Sequence, residues 1–264
     1  MLWLQQNKLI QPGYIHLESV HNLSAPSVIV PFLIESFRPQ SVVDVGCGIG
    51  TFLSIFQKNG VQDMIGIDGA WVNRKQLLID ESIFIEKDLR KELKCNRQFD
   101  LVLCLEVAEH LQEKAADIFV KSLVSLGKRI IFSAAVTNQG GQNHINEQDF
   151  DYWKMKFEHH GYSFYDIFRV RFWNNKDIDW WYKQNMFLVA HESVQLPEQM
   201  LRAKVQGELL VYIHPGALAT RVSQIEVLKN ELGAFRKGNG AFGTYIKGFA
   251  RKIINVLGKP FKTK

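Results

Sequence analysis

Apolar and polar positions fall in blocks along the chain, and the blocks change period. SVVDVG (41–46) is a nearly continuous apolar run ending in glycine, the pattern of a strand covered on both faces. Thr51 to Asn59 has helical spacing and stops at Gly60. MIGID (64–68), SIFIEKD (82–88) and FDLVLCL (99–105) are predicted as the second, third and fourth strands. Val107, Leu111, Phe119, Leu123 and Leu126 then share one face of a predicted helix, and RIIFSAAV (129–136) is the fifth strand. A helix is predicted from Asp149 to His160, ended by Gly161. YSFYDIFRVRF (162–172) and NMFLVAH (185–191) have no long helix between them and read as an antiparallel hairpin near the sheet edge. Strands separated by helices of this length predict an α/β fold, a mostly parallel doubly wound sheet with helices on both faces.

The flanks have a different texture. Residues 1–40 read as a helical lead-in carrying a helix from Val28 to Phe37, with Pro31 obscuring its start. Residues 41–193 form the main domain. Residues 194–264 read as a helical extension, with helices over Pro197–Tyr212 and Thr220–Lys237, a break at His214-Pro-Gly, and a joint at GNGAFG (238–243).

Composition narrows the class. The chain has 264 residues, 46% hydrophobic, enough for one sizeable core. No apolar run has the length to span a bilayer and no secretory leader is evident, so a cytoplasmic location is expected. Three cysteines, Cys47, Cys95 and Cys104, lack metal-ligand spacing and predict neither disulfides nor a zinc site. The net charge of +5 is uneven, because every charged residue from Thr244 onward is basic. In that tail Ile246, Phe249, Ile253 and Leu257 share a helical face opposite Lys247 and Arg251. Such a segment reads either as a peripheral membrane contact through 244–264, at the inner face, or as a helix packed on a protein surface.

The chemistry is concentrated in VVDVGCGIGTFL (42–53). Gly46, Gly48 and Gly50 follow Asp44 at the end of the first predicted strand, where open α/β sheets bind ligands. Asp68 ends the second strand, suited to a ribose diol, and Asp88 ends the third. The G-x-G-x-G spacing differs from the G-x-G-x-x-G of nucleotide-redox folds. Together these pieces resemble the class I S-adenosylmethionine-dependent methyltransferase family over roughly residues 40 to 192. The resemblance implies a seven-stranded Rossmann-like sheet with one antiparallel strand, and S-adenosyl-L-methionine as cofactor. It places Gly46 and Gly48 against the methionine moiety, Asp44 near its ammonium, and Asp68 on the ribose. It places Asp88 and Leu89 at the adenine, and Leu105 and Glu106 beside the sulfonium.

For the acceptor, LEVAEHL (105–111) stands where amino-methylating relatives often carry a Pro-Pro-aromatic tetrapeptide. It resembles the small-molecule O-methyltransferases, and no nucleic-acid partner is expected. Two histidines are base candidates on the same rim. His110 reads as a base or as a residue packing a helix start. His144, in VTNQGGQNHINEQ (136–148), reads as a base or as a solvated loop residue. Gly140 and Gly141 give that loop freedom to close. Asn146 and Gln148 are candidate acceptor-binding amides, although Asn146 also has helix-cap spacing to a start near Glu147. His144 with Asp149 or Glu147 would make only a thin metal site, and no dense carboxylate cluster accompanies it, so no metal is expected. Trp180, Trp181 and Tyr182 offer faces for stacking on a sugar ring or for covering a core edge. The pairing of the GGQNHINEQDFDYW loop with WWYKQN resembles bacterial methyltransferase-domain proteins associated with glycan biosynthesis, and implies a glycan or small-molecule hydroxyl as acceptor. The same sequence is also compatible with a non-catalytic cofactor-binding protein or a nucleic-acid methyltransferase.

Overall fold

A computed structural model describes residues 22–236. The predicted joint at 238–243 and the basic tail at 244–264 lie outside the described residues.

Seven strands form one sheet in the order β3-β2-β1-β4-β5-β7-β6. They are β1 Ser41–Val45, β2 Asp63–Asp68, β3 Phe84–Glu86, β4 Leu101–Leu105, β5 Arg129–Ser133, β6 Tyr162–Tyr165 and β7 Phe187–His191. The first five are parallel, and β7 runs antiparallel to both β5 and β6. The helices are α1 Ser24–Phe37, α2 Thr51–Lys58, α3 Ala116–Leu126, α4 Phe150–Glu158, α5 Arg169–Phe172, α6 Trp180–Asn185, α7 Glu198–Leu201 and α8 Pro215–Arg236.

Alternate residues of each central strand serve opposite cores. Val42, Leu101, Leu103, Ile131 and Leu188 face α1 and α2, packing with Ile29, Leu33, Leu53 and Phe56. Val43, Val102, Cys104, Ile130 and Val189 face α3 and α4, packing with Phe119, Leu123, Trp153 and Phe157. Both faces are apolar, which is why these strands read as continuous hydrophobic runs.

Several elements differ from the sequence expectation. The run 162–172 is a strand only to Tyr165, because Phe168 and Phe172, four apart, turn together against Phe32 as one face of a short helix. The chain after β4 makes two single 3₁₀ turns before α3 begins at Ala116. Helix 197–212 is reduced to α7; beyond it Leu209 N–H is held by Asp151, and the Leu210 carbonyl by the buried Arg169. His214-Pro-Gly is the start of α8 rather than a break, with the Gly216 N–H bonded to His214 Nδ1 and Pro215 in the first turn, where its missing N–H costs nothing. The lead-in helix begins at Ser24, whose N–H is taken by Asn22, and continues through Pro31.

Candidate functional site

The carboxyl ends of β1, β4 and β5 and the amino end of β7 meet at one rim. The glycine loop after β1 lies there. Gly46 has φ +84°, and a Cβ on it would fall 2.2 Å from Val107 Cγ2, so no side chain fits. Asp68 accepts Gly48 N–H at 2.7 Å and Gly69 N–H at 2.6 Å, binding the end of β2 to the loop. The Trp71 ring covers Gly69 and also bonds Asp68, a neighbour the sequence reading missed. Gly50 caps the start of α2 with φ +83°.

Electrostatics here are set by burial. Asp44 is 4% exposed, and desolvation, followed by the nearby Asp68 charge, pushes its carboxyl up to about 7. Desolvation raises Asp68 as well, offset by its two backbone bonds. A cation would return Asp44 to its ionised form. The Cys47 thiol is raised well above its usual range, by burial first and by Asp44 and Asp68 next, so it is a poor nucleophile. The third carboxylate is placed differently. Asp88 lies two residues beyond β3, gripped by Arg90 at 2.8 and 3.0 Å, which holds it below the ordinary carboxylate range. Leu89 is buried beside it.

Leu105 closes β4, and Glu106 follows with φ +55°, a left-handed conformation unusual for a residue with a side chain. It is held on both sides. Its N–H bonds the Ser133 carbonyl and Oγ, both at 3.0 Å, and its carboxylate accepts Asn185 Nδ2 at 3.1 and 3.2 Å. Gln139 joins the network, donating to Glu106 at 3.4 Å and accepting from Asn185 at 3.0 Å. Burial still pushes Glu106 upward against these bonds.

The 3₁₀ turn Ala108–His110 brings Glu109 and His110 in behind Glu106. The Glu109 carbonyl accepts the N–H groups of Ile145 and Asn146, which ties the loop after β5 to this turn. His144 is thereby set edge-on to His110, with ring centroids 4.9 Å apart. His144 Nδ1 lies 2.8 Å from Glu147 Oε1, and both side chains are mostly buried. A Cβ on Gly141 would fall 2.2 Å from His144 Nε2, so only glycine lets the loop lie over the ring. Glu109 is fully buried, and its carboxyl has no side-chain donor, only loose contacts from the backbone N–H groups of Glu109 and Ala135. Desolvation, then the Glu106 charge, raises it well above its usual range. Ligand atoms of Glu109, His110 and His144 lie within 4.8 Å of one another. His144, for which the sequence offered only Glu147 or Asp149 as carboxylate neighbours, thus also has Glu109 beside it.

The other acceptor-side candidates separate. Asn146 is buried with its Oδ1 on Gln148, and α4 starts only at Phe150, so it caps no helix. Its Nδ2 has no hydrogen-bond partner. Tyr182 packs edge-on to Phe52 of α2, and burial and then the charge of Glu106 raise its phenol, which puts it beside the rim. Trp181 sits edge-on to Trp180, and Trp180 packs on Gly216 of α8. Trp180 is thus a contact to the extension. Glu109, Gln139 and Asn185 were not singled out by the sequence reading, and Glu147 entered it only as a thin metal partner of His144; a glutamate and an asparagine flanking apolar strands, in EVAEH and KQNMFLV, are the only signals Glu109 and Asn185 leave.

A family model described as a methyltransferase domain matches residues 23–191. The fold is similar to that of magnesium protoporphyrin IX methyltransferase from Synechocystis PCC 6803, at 16% identity and TM-score 0.47, over 68% of this chain and 90% of that one. It is similar to the methyltransferase domain of bacterial CtHen1-C, at 21% identity and TM-score 0.49, over 64% and 99%. An O-methyltransferase family protein from Burkholderia thailandensis matches at 15% identity and TM-score 0.45, over 62% and 55%. Among curated proteins no sequence matches.

Proposed function

Because the chain belongs to the methyltransferase-domain family, with S-adenosylmethionine as its cofactor, we propose that it methylates a hydroxyl of a glycan or other small molecule. When bound, the cofactor supplies an electrophilic methyl group on a sulfonium, and the acceptor oxygen takes it with loss of one proton. The residues of the glycine loop fit such a ligand. Glycines at positive φ turn the backbone sharply at the end of β1, and a buried carboxyl poised near neutrality suits an ammonium. In this reading Asp44 pairs with the ammonium, Gly46 and Gly48 line the methionine moiety, Asp68 takes the ribose, and Asp88 with Leu89 borders the adenine. Leu105 and Glu106 flank the reacting carbon.

The observation that carries the hydroxyl reading is the Glu109–His110–His144 cluster beside Glu106. An amine needs little help to lose a proton, whereas an alcohol is a very weak acid and gains from a group that removes or acidifies it. With Nδ1 turned to Glu147, His144 keeps Nε2 for that work. In this reading the Asn146 and Gln148 amides and Tyr182 are the groups that hold a polyhydroxyl acceptor. The basic amphipathic tail suits an acceptor at the inner membrane face. Tritiated methyl transfer to sugar nucleotides, lipid-linked glycans and matched amines tests the reading. Labelled ether is expected; label only on amines, or none, overturns it.

A further inference from the structure

We propose that Glu109, His110 and His144 form a binding site for one divalent first-row transition cation of the Mn²⁺ type, on the acceptor side of the glycine loop. Donors that already share a space 4.8 Å across need only close by about an ångström, since ligand atoms on a cation bonded at roughly 2.1 Å lie about 3–4 Å apart. Two further observations point to an ion. Glu109 is fully buried, and its carboxyl is met by no side-chain donor and only loosely by the backbone N–H groups of Glu109 and Ala135, an arrangement that a proton or a cation would complete. And His144 carries the outer support that metal-bound imidazoles carry: Glu147 takes Nδ1, which fixes the tautomer and frees Nε2. Glu147 in turn accepts Gly140 N–H, so the support is itself held.

The donor set decides the metal class. Two imidazoles and one carboxylate suit Mn²⁺, Co²⁺ or Zn²⁺ better than Ca²⁺, which prefers an all-oxygen shell. Three protein ligands leave coordination positions for an acceptor oxygen. Glu106 does not count among the ligands, because Asn185 and Gln139 occupy its carboxylate. The role given to the cation rests on the hydroxyl reading above: it would bind the acceptor hydroxyl and acidify it, the proton leaving to water, with His144 a ligand instead of the base. The site itself does not depend on that reading.

The test uses the full chain, stripped with chelator and titrated with Mn²⁺, with free Mn²⁺ read by electron paramagnetic resonance. One Mn²⁺ per chain is expected. Glu109→Gln and His144→Ala should each weaken binding at least about tenfold, while His160→Ala, at the end of α4, should leave it unchanged. S-adenosylhomocysteine affinity of each variant reports that the fold is intact. Absence of binding at millimolar Mn²⁺, or equal binding in both cluster variants, overturns the proposal. Mn²⁺ binding without S-adenosylhomocysteine binding would sink the methyltransferase reading and leave the cation site standing; the reverse pattern would sink only the cation site.

Discussion

His144 Nδ1 and Glu147 Oε1 stand 2.8 Å apart in a pocket that leaves each side chain mostly covered. The pair fixes which imidazole nitrogen carries the proton. Replacing the carboxylate with an amide keeps the shape and removes the charge. Glu147→Gln is expected to lower methyl transfer by about 10–100-fold, the usual cost of losing such a support, with S-adenosylhomocysteine affinity unchanged. Unchanged transfer in this variant would show that the tautomer is not set by Glu147.

Asp68 is the clamp of the glycine loop, accepting the N–H groups of Gly48 and Gly69. In Asp68→Asn one of those donors meets an NH₂ group. A cost of about 1–3 kcal/mol in stability is expected for the unsatisfied donor, together with a large loss of S-adenosylhomocysteine affinity by calorimetry. Full affinity in the variant would remove Asp68 from the cofactor site.

Asp44 gives the apo protein a pH dependence of defined sign. Its carboxyl is raised to about 7 by burial and by Asp68. The unfolded chain ionises it near the reference value of about 3.9. Between these values the folded state keeps a proton that the unfolded state has lost. Stability therefore falls as pH rises, by at most about 1.4 kcal/mol per pH unit from this group. Asp44→Asn removes the effect, so the melting point of the variant relative to the parent should climb from pH 5 to pH 7. A pH-independent difference would count against a proton-holding Asp44.

Gly46 should be irreplaceable. Gly46→Ala meets Val107 Cγ2 and also forces a side chain into φ +84°. Left-handed strain of about 1–2 kcal/mol and overpacking of about 1–3 kcal/mol act together. Cofactor binding should be lost, and adding Val107→Ala should restore only part of it, since that change relieves the contact and not the dihedral. Wild-type affinity in the single variant would contradict the geometry.

The glycine-loop half of the candidate site was legible in the sequence because its signal is local. Asp44, three glycines and a helix start occupy a dozen consecutive positions, and Asp68 follows at the next strand end. The acceptor half is assembled from distant segments. Asn185 reaches Glu106 across 79 residues, and nothing in KQNMFLV announces that partner. Glu109 sits within what reads as a helical stripe, but the chain makes a 3₁₀ turn there and sends the carboxyl inward. Asn146 has the spacing of a cap, yet its carbonyl oxygen is spent on Gln148. YSFYDIFRVRF has strand composition, and only the contact of Phe168 and Phe172 with Phe32 selects a helix for its second half.

The tail beyond the described residues tests separately. Its alternation of Ile246, Phe249, Ile253 and Leu257 with lysine and arginine predicts flotation with anionic liposomes that is lost on deleting residues 244–264. Equal flotation of the two proteins would remove the membrane role.

The reversed strand β7 has a consequence for how such a site diversifies. Strands β1, β4 and β5 bring residues to the rim as the chain leaves the sheet, whereas β7 brings Asn185 there as the chain enters, with Phe187 paired to Phe132. Residues 166–185 are thereby stitched at both ends, to β6 and to β7, while their middle lies free of the ladder. Such a segment behaves like an exchangeable cartridge. Its length and aromatic content can drift, and the half of the rim built on the glycine loop need not change with it.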